Sequence, residues 1–241
     1  MAIGLEREYQ LRWMDFDRYG RIQPAAVLDI FQDLATIQAN DMGIGRDKMM
    51  EEGVFWAVVR MKYEMVREPQ HHQLVTCRTW PHTPTRFSFL RDYTMRDEDG
   101  QLLIKASSEW VLMDATTRKF ASVKDFYKGS DDFHEERAFE KKPKKILAFE
   151  PDPALTRTMA ASYTDIDVNG HVNNAMYANF VVNALNPGED GAIRTFQIDY
   201  RKEVLPEVPF DMELLIEDGL IRARGVNDEG DVSFTCAIEL Q

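Results

Sequence analysis

Residues Tyr163–Leu185 read YTDIDVNGHVNNAMYANFVVNAL. Within ten residues, Asp165, Asp167, Asn169, His171, Asn173 and Asn174 crowd six polar or ionisable side chains into one segment. Met176, Phe180 and Ala184 then recur every fourth residue beside Tyr177, Val181 and Leu185, the spacing of a wide apolar helix face. Asn174, Asn179 and Asn183 fall off that face. A polar loop feeding the N-terminus of a buried helix brings its groups to backbone N–H donors that lack intrahelical partners and favour negative charge. A developing oxyanion would be held well by such an arrangement.

The rest of the chain repeats this unit. A shift of 150 residues lays WMDFDRYGRIQPA (Trp13–Ala25) on YTDIDVNGHVNNA (Tyr163–Ala175), with Asp15 on Asp165, Asp17 on Asp167, Gly20 on Gly170 and Ala25 on Ala175. Four identities in thirteen positions exceed the roughly one expected from ordinary composition. Each segment leads into a helix, the first being AAVLDIFQDLATIQA. Further on, VVRMKYEMV (Val58–Val66) resembles TFQIDYRKE (Thr195–Glu203) at a shift of 137, with Tyr63 on Tyr200. The pattern is a tandem duplication of strand, loop, long helix and several strands.

Length and composition fit two such units. The chain has 241 residues, 44% of them hydrophobic and 11% aromatic, enough for one large domain or two of about 110. Glu6, Arg7 and Glu8 stand where a signal peptide would carry its apolar region, and no apolar run reaches the length of a membrane span. A cytoplasmic protein that does not engage membranes is therefore expected. Cys77 and Cys236, one in each half, have no CxxC or Cys/His spacing and read as buried thiols. The net charge of −12 argues against a nucleic-acid partner, which needs a basic surface to neutralise phosphates.

In chain order, Leu5–Arg12 alternates as a strand, and Pro24 suits the first turn of the helix that follows. A short helical insert at Arg46–Glu52 precedes four strands, FWAVVRMKYEMV, HQLVTCRTW, RFSFLRDYTMRD and LLIKASSEWVLMD, with a hairpin turn at Asp97–Gly100. One helix followed by an antiparallel meander implies a sheet wrapped round a helix. From Phe120 to Glu150, seven bases and seven acids in thirty-one residues read as a solvated linker. The second half repeats the pattern in FQIDYRKEV, FDMELLIED, LIRARGVND and DVSFTCAIEL, with Asn227–Gly230 as the matching hairpin.

Metal chemistry does not fit the loop. D-x-D-x-N-G at Asp165–Gly170 matches half of an EF-hand loop, but its twelfth position is Met176, where a bidentate Glu belongs. No second histidine stands at ligand spacing to join Asp167 and His171 on zinc. Neither a metal nor another cofactor is expected. The duplication supplies an internal comparison. Tyr19 and Arg21 stand where the second half has Asn169 and His171, and the shift of 137 sets Val66 against Glu203. Groups that serve the shared fold should recur in both copies, as Asp17 and Asp167 do. A single reacting centre leaves its groups in one.

The string DIDVNGHVNNAMY, followed downstream by IDYRKEV, resembles the signature of the acyl-ACP thioesterases, and DFDRYG and LDIFQDLAT in the first half resemble them too. The resemblance covers nearly the whole chain. It implies an α+β fold of two tandem hotdog domains, each an antiparallel sheet wrapped around a long central helix. The N-terminal domain would span 1–125, lie on the acyl-chain side and lack catalytic residues. A charged linker would span 126–154, and the C-terminal domain, 155–241, would carry the catalytic residues Asp167, Asn169, His171 and Glu203. Many family members have a cysteine directly after that glutamate, where this chain has Val204.

With no cysteine beside the histidine and no G-x-S-x-G, the residues offer no activated nucleophile. Direct attack of water on a thioester carbonyl is expected. Glu203 or His171 would deprotonate or orient the water, Asn169 would position water or substrate, and Asp167 would hold the loop. Backbone N–H groups of Val172, Asn173 and Asn174 would face the oxyanion. The resemblance implies as partner an acidic acyl carrier protein bearing its acyl chain on phosphopantetheine, with Arg194, Arg201 and Lys202 near Glu203, and Lys141–Lys145, as basic docking candidates. The chain would act as a monomer that is its own pseudo-dimer, or as a homodimer. Two other readings share the fold: a thioesterase for acyl-CoA, and a non-catalytic hotdog that binds an acyl ligand as a sensor.

Overall fold

Runs of alternating apolar residues bounded by Gly, Asp, Asn and Pro form strands in both halves. The computed structural model describes residues 4–129, 131–217 and 219–241. The first half comprises β1 (Leu5–Gln10), α1 (Pro24–Asp41), α2 (Arg46–Glu51), β2 (Val54–Met65), β3 (Leu74–Pro81), β4 (Ser88–Arg96), β5 (Leu102–Asp114) and α3 (Val123–Phe126). The second comprises β6 (Arg157–Ala160), α4 (Met176–Leu185), β7 (Ile193–Tyr200), β8 (Pro209–Glu217), β9 (Leu220–Val226) and β10 (Val232–Leu240).

The strands join into one 10-stranded sheet in the order β1-β3-β4-β5-β2-β7-β10-β9-β8-β6. Its two halves are mirror lists of one another, with every pairing between strands antiparallel. A pseudo-twofold axis passes between β2 and β7, where Arg60 faces Asp199 and Glu64 faces Thr195. The two halves thus meet as the protomers of a symmetric dimer would.

Pro24 occupies the start of α1, where its missing N–H costs nothing. Val27, Leu28, Phe31, Leu34 and Ala35 face the core, and the Phe31 ring stacks on Tyr93 of β4 at 4.9 Å. Tyr177, Ala178, Phe180, Val181 and Ala184 bury the corresponding side of α4, with Tyr177 edge-on to Phe234 at 5.0 Å. α4 has 10 residues against 18 in α1. Asn186, left-handed at φ 47, stops it, and Pro187 follows.

The segment expected as a solvated linker is largely exposed and lies as a strap across the outer face of the sheet. No regular helix or strand forms among its described residues between α3 and the 3-10 turn at Pro153–Leu155. The sheet's outer polar side chains hold it: Asp92 accepts the Ala138 N–H at 2.9 Å and Asp199 the Ile146 N–H at 2.9 Å, while Gln197 donates to the Lys144 carbonyl at 2.7 Å. Ile146 and Phe149 are the strap's buried apolar side chains. Balanced charge hid these contacts, because the strap is held by its backbone. A cleft of about 250 Å³ under the strap is lined by Asp92, Ser107 and Lys142 among others and shares no residue with the loop around His171.

Candidate active site

Both copies fold the loop before the helix on one framework. The Asp165 carbonyl accepts the Asn173 N–H at 2.8 Å, Asp167 N–H donates to the His171 carbonyl at 2.8 Å, and Gly170 turns at φ 77. Asp167 Oδ1 receives the Asn169 N–H at 2.8 Å and the His171 N–H at 3.4 Å. In the first half, Asp17 Oδ1 receives the Tyr19 and Arg21 N–H groups at 2.8 and 3.0 Å, and Gly20 turns at φ 76. The aspartates and glycines therefore belong to the shared scaffold, and Asp167 also steadies the Asn169 amide, whose Nδ2 donates to Oδ2 at 3.1 Å.

On this scaffold the second half brings His171 and Glu203 together, Nδ1 to Oε1 at 3.0 Å, with both side chains about half exposed. Glu203 is set by its successor: Val204 is buried, and its N–H donates to the Tyr177 hydroxyl of α4 at 3.0 Å. Val204 is thus an apolar anchor beside the pair.

Three residues that sequence reasoning missed enter from the first half. Arg46, opening α2, donates to Asn169 Oδ1 at 2.6 Å. Gln32 of α1 accepts from Asn174 Nδ2 at 3.2 Å and donates to Asn173 Oδ1 at 3.4 Å. Arg118, in the turn after β5, lies 3.7 Å from Glu203 Oε1. The site is thus bipartite, built where the halves meet.

The backbone donors differ from expectation in one respect. Asn173 N–H is committed to the Asp165 carbonyl, and its side chain accepts the Ala175 N–H at 2.9 Å, capping the turn into α4. Val172 and Asn174 N–H have no acceptor among the described residues. The first copy shows what the Val172 position can hold: Ile22, its equivalent, donates its N–H to a Glu68 carboxylate oxygen at 2.6 Å. The Asn174 equivalent is Pro24, which has no N–H.

Glu68 also corrects the alignment of the copies. Val66 and Arg67 N–H both donate to the Leu103 carbonyl, as Arg201 and Lys202 N–H both donate to that of Ser233. The equivalence here is therefore 135 residues, and Glu68 rather than Val66 stands opposite Glu203. A glutamate is present in both copies, but Glu68 fills a backbone donor whereas Glu203 pairs with a histidine. Arg21, opposite His171, is consumed by Asp17 at 2.7 Å and by the Gly188 carbonyl at 3.0 Å.

The remaining candidates do not join the His171–Glu203 pair. Arg194 pairs with Glu239 at 2.6 Å, six residues along β7 from Tyr200, about 20 Å at the rise of a strand. Lys202 pairs with Asp231, and Arg201 is exposed. Cys77 and Cys236 are free and fully buried; burial pushes the Cys77 thiol up to about 12 and that of Cys236 well above its ordinary value. Neither is poised to act as a nucleophile.

Family profiles for the acyl-ACP thioesterase N-terminal and C-terminal domains match residues 4–129 and 151–220. A chloroplastic oleoyl-acyl carrier protein thioesterase of Coriandrum sativum is 28% identical over 199 residues, 73% of this chain and 53% of that protein. The chain spans about half the length of the curated relatives it matches. Among solved structures, an acyl-ACP thioesterase from Bacteroides thetaiotaomicron superposes with TM-score 0.89 at 22% identity, covering 99% of this chain and 98% of that one. The 12:0-ACP thioesterase from Umbellularia californica superposes with TM-score 0.87 at 21% identity, covering 100% and 98%. Both likenesses show the fold, two hotdog units in tandem.

Proposed function

Because the chain belongs to the acyl-ACP thioesterase family, we propose that it hydrolyses the thioester of acyl-acyl carrier protein and releases free fatty acid by direct attack of water. The observation that carries this reading is the His171–Glu203 pair at 3.0 Å beside backbone donors that the other copy lacks or has filled. With its Nδ1–H directed at Glu203, His171 keeps the Nε2 lone pair for a water proton. As that water adds to the carbonyl carbon, the carbonyl oxygen becomes an oxyanion facing Val172 and Asn174 N–H. Collapse expels the pantetheine sulfur, which takes the proton held on Nε2, and leaves the carboxylic acid. Glu203 orients the ring and stabilises its protonated form. Asn169, fixed by Asp167 and Arg46, orients the water.

Each chain supplies both sides of the interface that builds the site, so one chain suffices for one centre. The test is release of free acid from panels of acyl-ACP and acyl-CoA by purified protein. The proposal expects acyl-ACP to be the better substrate by kcat/KM. Preference for the CoA ester would favour an acyl-CoA thioesterase, and tight acyl binding without release would favour a sensor.

A further inference from the structure

We propose that the acyl carrier protein docks on a basic and aromatic surface of the first half, formed by the β3–β4 loop and the segment after β5. This rests on the hydrolase reading above and names where its protein substrate binds. The chain carries a net charge of −12, yet Arg86, Lys119, Lys124 and Lys128 are exposed here with no ion pair among the described residues. From Thr116 to Lys128 the one acid is Asp125.

The surface is firmly built. Val123 N–H donates to the Arg86 carbonyl at 2.9 Å, joining the two segments, and Ala121 N–H holds the second to the Leu112 carbonyl at 2.8 Å. Phe87 and Phe120, 41% and 61% exposed, lie with ring centres 6.3 Å apart, and the Arg86 guanidinium covers Phe87 at 4.9 Å. Exposed rings among unpaired cations suit a partner that offers carboxylates around an apolar contact. At its edge Arg118 reaches within 3.7 Å of Glu203, so the surface borders the site. A carrier seated there would bring its prosthetic arm to the Glu203 side of the site. Of the other candidates, Arg194 and Lys202 are ion-paired, and Lys142 of the strap pairs with Glu109 at 2.5 Å.

The test is the variant Arg86→Glu/Lys119→Glu/Lys124→Glu, with Phe120→Ala reading the apolar part. Equilibrium binding of holo-acyl carrier protein is measured by fluorescence anisotropy over a salt series, and initial rates with acyl-ACP and acyl-CoA. The expected result is a Kd and a KM for acyl-ACP at least tenfold higher in the triple variant, with a flatter salt dependence and acyl-CoA hydrolysis within twofold of the parent. Phe120→Ala should raise Kd severalfold, and Arg194→Glu should leave it within twofold. An unchanged Kd in the triple variant overturns the proposal. So does an equal loss toward acyl-CoA, which would assign the surface to phosphate recognition. If the hydrolase reading itself is wrong, the parent releases no acid from either substrate, while the carrier Kd still decides the docking question.

Discussion

His171 and Arg21 occupy equivalent loop positions and meet opposite fates. Arg21 is spent on Asp17 and on backbone carbonyls, while His171 has one nitrogen on Glu203. His171→Ala and Asn169→Ala should each lower kcat by about two orders of magnitude or more, as loss of a general base or polarising group does. Tyr19→Ala and Arg21→Ala should lower the melting temperature and spare kcat. Steady-state rates beside melting curves check this, and equal loss of turnover from both sets would contradict a single centre. Arg118→Met should lower kcat about tenfold or more by loosening Glu203, with Arg118→Lys recovering part of it. Asp167, Asn169 and His171 were legible because one short loop carries them. Gln32, Arg46 and Arg118 were not, since an ordinary helix, an insert and a turn of the other half deliver them. Glu68 was hidden by matching Tyr63 to Tyr200. That match slips the strand by two residues, which keeps every side chain on its correct face and leaves no error in the pattern.

At the scale of elements, the helix starts and the loop carboxylates set the two copies apart. Desolvation raises the Glu68 carboxyl above its ordinary value, even though the Ile22 N–H and Arg21 pull the other way. A carboxyl raised on folding contributes stability that is fully present below its unfolded pKa and is lost as pH rises through its folded one. Glu68→Gln keeps an acceptor for Ile22 and removes the charge. It should therefore stabilise the protein relative to the parent at neutral pH, with the advantage vanishing as pH falls below the ordinary glutamate value of about 4.3. Denaturant unfolding across that range reads the difference, and a variant less stable at pH 7 than the parent would contradict it. Strand and helix positions were largely legible from apolar periodicity, β5 to the residue. The strap was not, because backbone hydrogen bonds to Asp92, Gln197 and Asp199 leave no mark on its own composition.

Across the whole molecule, the seam between β2 and β7 makes two duplicated units one structure. Arg60 meets Asp199 there through Nε at 2.6 Å and Nη2 at 3.0 Å, with both side chains largely buried. Arg60→Met removes one partner and leaves the other carboxylate uncompensated, a loss of roughly 3–5 kcal/mol. In a chain of this size that corresponds to a fall in Tm of about 6–20 °C. Calorimetry checks it, and a fall under about 2 °C would show that the seam does not depend on this pair. The duplication announced two units, but their fusion into one sheet is a long-range pairing that no local pattern encodes.

The central claim is that this single centre, assembled across the seam, adds water directly to a thioester. Its most direct test mixes enzyme with a stoichiometric amount of acyl-ACP, quenches in acid over the course of one turnover, and weighs the intact protein. The account predicts that free fatty acid accumulates while the enzyme mass never changes. A protein species heavier by one acyl group, formed and consumed as fast as acid is released, would contradict it, and its site of attachment would identify the nucleophile.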